Sequence, residues 1–82
     1  ICRFTMKKVY DWDLGLTIKV ENNNKIINIV CSVHTTVHQL KIEICKKLNL
    51  MIFDTEMDIF GGNNSSSWRP MKSTSTLLQN GI

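Results

Sequence analysis

Two cysteines and two histidines near the middle of the sequence could bind a metal ion: Cys31, His34, His38 and Cys45. Thiolate and imidazole groups are ligands that zinc prefers, and histidines four residues apart share one face of a helix. However, there is no Cys-x-x-Cys knuckle, and Cys45 lies one position past the apolar stripe of the helix predicted below. The four ligands could converge only by distorting that helix, so zinc binding is the less favoured interpretation.

The same residue types could supply a cysteine nucleophile and a histidine base. This chemistry requires a pocket and a third group that orients the histidine, and an 82-residue domain has little room for a pocket once its apolar side chains form the core. We therefore expect no enzymatic activity, no cofactor and no metal. The three cysteines cannot all pair with one another, which favours a reducing compartment.

Charge and hydropathy argue against two other classes of function. The net charge is +3, and acidic residues such as Glu43 and Asp54 interrupt the lysines, so we do not expect nucleic-acid binding. The apolar stretches are only a few residues long, whereas a membrane span needs about 20 residues. The chain opens at Ile1 rather than at a methionine, so we expect one domain of a larger protein. The preference for a reducing compartment favours the cytoplasm or the nucleus.

Periodicity predicts the elements that would position these residues. Apolar and polar residues alternate in residues 2–9 and again in residues 14–20, as in strands with one buried face. A run of turn-forming residues then precedes an apolar stretch at residues 26–33, which completes a β-hairpin.

A helix follows the hairpin. Its apolar residues lie three, four and four positions apart, at Val37, Leu40, Ile44 and Leu48. Thr36 and Gln39 form a capping-box pattern, which predicts that the helix begins at about Thr36. Two lysines precede Leu48 and Asn49 follows it, and both features favour a helix end near Leu48.

The remaining elements are short. Residues 57–60 form a predicted strand that Gly61 and Gly62 close, and a polar loop separates this strand from residues 68–71. Pro70 cannot donate a ladder hydrogen bond, so a last strand at residues 68–71 should be short and at an edge of the sheet.

The order of these elements resembles the ubiquitin-like (β-grasp) family over residues 14–82. The resemblance is carried by the order and spacing of residues 16–20, 36–41, 59–62 and 76–82. It implies an α+β fold in which one main helix packs across a mixed sheet of four to five strands. The implied core residues are Ile18, Val20, Ile27, Ile29, Val37, Leu40, Ile44 and Ile59, with Leu78 and Ile82 closing one end.

The chain departs from this family in two respects. Family members usually finish with a central strand beside the first strand, and the sequence stops where that strand would begin. Residues 1–13 are either an extra N-terminal strand that fills part of the sheet or the end of a preceding ubiquitin-like repeat. Conjugated members end in a diglycine tail, whereas Gly61 and Gly62 are internal, so we expect no conjugation through the C-terminus.

Family members commonly bind partners through the outer sheet face around the third strand, which implies a site at Asp58, Ile59 and Phe60. Outward Ile59 and Phe60 would form the kind of apolar patch that ubiquitin-binding domains recognise, whereas outward Asp58 would remove it. Met57 and Ile59 alternate as buried positions do, which favours outward Asp58.

Trp68 and Arg69 complete the candidate site, either as interface anchors or, for the tryptophan, as a cover over the core. The resemblance thus implies a non-catalytic interaction module, or adaptor, that docks a larger protein onto a protein partner. That partner would be a ubiquitin-pathway component or a neighbouring domain of the same chain. The alternatives are a structural ubiquitin-like repeat within a stable assembly and a small zinc-stabilised or catalytic Cys/His domain.

The zinc alternative makes a distinct prediction, because a domain held together by zinc unfolds when the metal is removed. We expect the midpoint of thermal unfolding to be the same with and without a chelator. A midpoint that the chelator lowers would establish the metal-stabilised alternative instead.

Overall fold

A computed structural model of the chain describes residues 2–12, 15–22, 25–61 and 70–82, with the backbone alone at residues 10–12. The elements in chain order are β1 (Cys2–Trp12), β2 (Gly15–Glu21), β3 (Ile26–Cys31), α1 (Val37–Leu48), the 3-10 helix η1 (Asp54–Glu56), β4 (Met57–Gly61) and the 3-10 helix η2 (Leu78–Asn80). The four strands form one mixed sheet in the order β3-β2-β1-β4. With its single main helix packed on this sheet, the α+β fold is β-grasp-like, as predicted.

β1 is a central strand of this sheet. It runs antiparallel to β2 on one side and parallel to β4 on the other, where Cys2 faces Met57. The register between β1 and β2 shifts between Lys8 and Tyr10, which is the mark of a β-bulge. The N-terminal segment therefore occupies the central position that the resemblance leaves without a strand.

α1 begins and ends where the sequence predicts. Thr36 is its N-cap: the Thr36 hydroxyl accepts a hydrogen bond from the Gln39 amide at 3.2 Å, and Gln39 Oε1 accepts one from the Thr36 amide at 3.0 Å. Asn49 ends the helix in the left-handed conformation, with φ of 55°. Local hydrogen bonds at both ends thus determine the bounds of the helix.

The core lies between α1 and the inner face of the sheet. Of the eight predicted core residues in the strands and the helix, seven are buried and Ile27 is half-buried. The core also includes six residues outside that set: Phe4, Met6, Leu16, Met57, Met71 and Leu77. Of these, Met57 is buried as its alternation with Ile59 predicts. Phe4 and Met6 belong to β1, so the central strand supplies part of the surface on which the helix packs.

The leucine pair near the C-terminus corrects one prediction. Leu77 is fully buried, whereas Leu78 is 54% exposed, so Leu78 is not the core residue. The reason is local: Thr76 and Gln79 form a second reciprocal cap, and the Leu77 amide donates to the Thr35 carbonyl at 3.0 Å. These bonds turn Leu77 towards the core.

The predicted last strand at residues 68–71 is also corrected. Pro70 and Met71 are not in a strand, although the Met71 amide donates to the Ile59 carbonyl at 2.8 Å and so covers part of the outer edge of β4. Residues 68 and 69 lie outside the described residues. Proline lacks an amide hydrogen, so only one residue of this pair can donate to β4.

The two neighbouring leucines provide a matched test of the register. Leu77→Ala removes a fully buried side chain and should lower the free energy of unfolding by about 2–4 kcal/mol, whereas Leu78→Ala should lower it by less than about 1 kcal/mol. Urea unfolding followed by circular dichroism measures both values. A larger loss for Leu78→Ala than for Leu77→Ala would show that Leu78, and not Leu77, is the core residue.

Candidate functional site

The structure separates the predicted partner-binding residues of β4. Asp58 and Phe60 are half-buried on the open face of the sheet, where Arg3 faces Asp58 and Thr5 faces Phe60 in the parallel ladder. Ile59 has the opposite orientation and is fully buried under the helix. Ile59 is therefore wrong as a contact residue, because the strand alternation that exposes Asp58 places Ile59 in the core.

The other two residues of that site, Trp68 and Arg69, lie outside the described residues. The cysteine and histidine set does not assemble either: over residues 2–12, 15–22, 25–61 and 70–82, no three His, Cys, Asp or Glu side chains are placed to hold a metal ion. Burial raises the pKa of the Cys31 thiol despite a hydrogen bond with Thr35. A raised pKa disfavours the thiolate that nucleophilic chemistry uses.

A polar cluster that the sequence analysis missed joins α1 to η1 and to the C-terminal segment. Lys41 is only 6% exposed, and its ammonium donates to Asp54 Oδ1 at 2.8 Å and to Ser73 Oγ at 2.9 Å. The Ser73 hydroxyl donates to the same carboxylate oxygen at 2.7 Å, and His38 Nδ1 contacts the other one, Oδ2. We refer to Lys41, Asp54, Ser73 and His38 as the clamp.

Hydrogen bonds from Lys41, Ser73 and His38 hold the pKa of Asp54 well below its usual range, with that from Lys41 the largest effect. Asp54 is thus a carboxylate at neutral pH and compensates the buried ammonium. Among the described side chains, no hydrogen bond joins the Ser73 hydroxyl to His38, as activation of a serine by a histidine base would require. We interpret the clamp as a structural device that holds three segments together.

Beside the clamp, α1 and the segment at residues 50–54 border an open groove of about 420 Å³. Its apolar lining includes Ile42, Leu50, Ile52 and Phe53. Phe53 is 77% exposed, and Met51, two positions before it, is 99% exposed. Large apolar side chains that project into water around a concave surface are typical of a contact site for another molecule.

The exposure of these side chains has a local cause. Leu50 donates its amide back to α1 and Phe53 accepts from η1, so both ends of the segment are anchored. Along this segment burial alternates: Leu50 and Ile52 are half-buried, whereas the side chains of Met51 and Phe53 are exposed to solvent. The sequence alone does not predict this site, because four consecutive apolar residues do not reveal which of them face water. Only the folded structure, in which both ends of residues 50–53 are anchored, shows which of these side chains are exposed.

No family model matches the chain, and no curated protein or solved structure is significantly similar to it. The ubiquitin-like family is therefore a proposal that rests on the segments quoted above and on the fold. In the part of the chain that the structure describes, no helix is long and apolar enough to span a membrane.

The clamp should stabilise the fold in a pH-dependent way. Asp54→Asn leaves the Lys41 ammonium buried without a counter-ion, and we expect a loss of roughly 1–3 kcal/mol of unfolding free energy at pH 7. Because folding lowers the pKa of Asp54, its contribution is present above the pKa of the unfolded chain and is lost as the pH falls. The difference between wild type and variant should therefore begin to shrink below about pH 5 and still be shrinking below about pH 3.

Asp58→Asn is the matched control, because it makes the same chemical change on the open sheet face, away from the clamp. Its effect, measured by urea unfolding at the same pH values, should stay below about 1 kcal/mol. Equal losses for the two variants, or a loss for Asp54→Asn that does not vary with pH, would contradict the stabilising role of the clamp.

Proposed function

We propose that this chain is a non-catalytic interaction module of the ubiquitin-like family, an adaptor that docks a larger protein onto a protein partner. The β-grasp-like fold supports the family, and the groove beside α1 supports the function. Phe53, which lines the groove, carries the argument, since burying a large apolar side chain is worth about 1.5–3 kcal/mol and Phe53 remains in water here. A partner that covers it recovers this free energy.

The groove fits a peptide segment better than a small molecule. Its wall at Phe53 projects into solvent, so a small ligand would keep much of its surface in water, whereas binding pockets enclose most of a ligand. A helical or extended segment can place one apolar side chain between Ile42 and Phe53, both of which line the groove. Contacts of this kind, with a central apolar anchor, supply most of the binding energy at protein interfaces.

The charges at the groove favour an acidic residue beside that anchor. The only carboxylate that lines the groove in the described part of the chain, Asp54, already accepts from Lys41 and contacts His38. Lys46 also lines the groove, and its only described ion pair is a 3.9 Å contact with Glu43 on the same helix. An exposed pair of this length is weak, so the Lys46 ammonium remains available to a carboxylate of the partner.

The open sheet face at Asp58 and Phe60 is the surface that the family resemblance implies. Phe60 is half-buried there, and Arg3 faces Asp58 from the neighbouring strand. Around Asp58 and Phe60, this face thus offers less exposed apolar surface than the groove, which lies on the helix side of the sheet. We assign the primary contact to the groove and keep Asp58 and Phe60 as a secondary surface.

Selection of random peptides displayed on phage tests the proposal without knowledge of the natural partner. The wild-type chain is the bait, and the variant Met51→Ser, Phe53→Ser serves for counter-selection. We expect enriched peptides to contain a large apolar residue with Asp or Glu nearby. Phe53→Ser should weaken their binding by about tenfold or more, because a central anchor contact is lost.

Leu78→Ser is the control, since Leu78 is also an exposed apolar residue but does not line the groove. It should leave peptide binding unchanged, and thermal unfolding should confirm that each variant folds. Binding that survives Phe53→Ser but is lost in Phe60→Ser would move the contact to the open sheet face. Failure to enrich any peptide would contradict the interaction module.

A further inference from the structure

The two edges of the sheet differ. On the outer edge of β4, the Ile59 carbonyl accepts from Met71 at 2.8 Å. On the outer edge of β3, within the described ranges, no backbone group outside the ladder with β2 bonds to the backbone of Ile26–Cys31. An edge of this kind presents a row of donors and acceptors with which another strand can pair.

β3 also lacks the features that normally protect such an edge. Residues 26–31 contain no proline, no glycine and no charged side chain. Ile26 is 63% exposed and Val30 is 70% exposed on the open face of the sheet. Lysine, proline or a bulge at these positions would oppose pairing, and none is present. Among the described residues, the outer edge of β3 is therefore unpaired and flanked by apolar side chains.

The sequence of β3 is complementary to itself. When two copies pair in antiparallel fashion with Asn28 opposite Asn28, Ile26 of each copy faces Val30 of the other, and Ile27 faces Ile29. Apolar residues then meet apolar residues on both faces of the sheet, and the two amide side chains meet at the two-fold axis. Such a symmetric arrangement is the commonest way in which two copies of a chain associate.

The charges at the ends of β3 match in the same register. Lys25, one position before β3, falls opposite Cys31 of the second copy, and its place in the alternation puts it on the helix side of the sheet. On that side Glu43 lines a groove together with Ile29 and Cys31. Lys25 and Cys31 of one chain are roughly 20 Å apart along the strand, so the pairing of Lys25 with Glu43 arises only between copies.

We propose that a second copy of this chain binds the outer edge of β3 in this register, so that the two sheets become one continuous sheet across the two-fold axis at Asn28. Two contacts between Lys25 and Glu43 flank the apolar centre of the interface. The dimer leaves Met51 and Phe53 uncovered, since neither lies on β3 or in the groove beside it. It therefore presents two copies of the groove, which would strengthen binding to a partner that carries two matching segments.

Sedimentation velocity of the chain from about 2 to about 200 µM tests the dimer, and we expect a monomer–dimer equilibrium within this range. Asn28→Asp places two carboxylates against each other at the axis and should raise the dissociation constant about tenfold or more. In the monomer the new carboxylate faces Lys19 across the ladder, so folding should be retained. Asn28→Thr, which adds no charge, should still dimerise.

Charge reversal provides a second test of the dimer. Lys25→Glu should weaken the dimer by placing like charges together, and adding Glu43→Lys should restore it, an outcome that misfolding of either variant would not produce. A wild-type chain that stays monomeric at about 200 µM, an unchanged dissociation constant for Asn28→Asp, or binding of a foreign extended peptide along β3 by a monomeric chain would overturn the proposal. Phe53→Ser should leave the dimer intact. A negative result for the dimer would therefore not count against peptide binding in the groove, and a negative result for the groove would not count against the dimer.

Discussion

β1 pairs on both of its edges, antiparallel to β2 and parallel to β4. Without it, β4 would be a five-residue strand with no neighbour, and the hairpin of β2 and β3 would be separated from the rest of the sheet. Phe4 and Met6 of β1 also fill the middle of the inner face on which α1 packs. The close approach of β1 and β4 requires Gly61 at the end of the ladder, where a Cβ atom would lie 2.7 Å from the Met6 carbonyl oxygen.

The clamp determines where the groove is. Asp54 directly follows Phe53, and its carboxylate is held by Lys41 on the helix and by Ser73 in the C-terminal segment. These bonds to Asp54 fix the start of η1 and therefore the direction in which the side chain of Phe53 projects into solvent. A buried ammonium contributes little to net stability when it is compensated, but it strongly disfavours arrangements in which it has no partner. The clamp thus favours one placement of the segment that borders the groove.

The groove, the sheet face around Phe60 and the outer edge of β3 lie on different parts of the fold. The groove lies beside α1, the half-buried Phe60 is on the open sheet face, and the β3 edge faces sideways in the plane of the sheet. The proposed contacts with a partner, a neighbouring domain and a second copy would therefore use largely different residues, although Ile42 lines both the groove beside α1 and the one beside β3. One sheet and one helix thus form all three surfaces of this small domain.

The sequence by itself determined those features that depend on neighbouring residues. Thr36, Gln39 and Asn49 set the bounds of α1 because capping bonds join residues three or four positions apart, and period-two alternation placed β2 and β4. Only the tertiary structure decided the partners of β1, the burial of Leu77 and the clamp. Lys41 is 13 residues from Asp54 and 32 from Ser73, and no local pattern reveals that a lysine on a helix will be buried. Its burial depends on which distant groups compensate its charge, and only the folded chain brings them together.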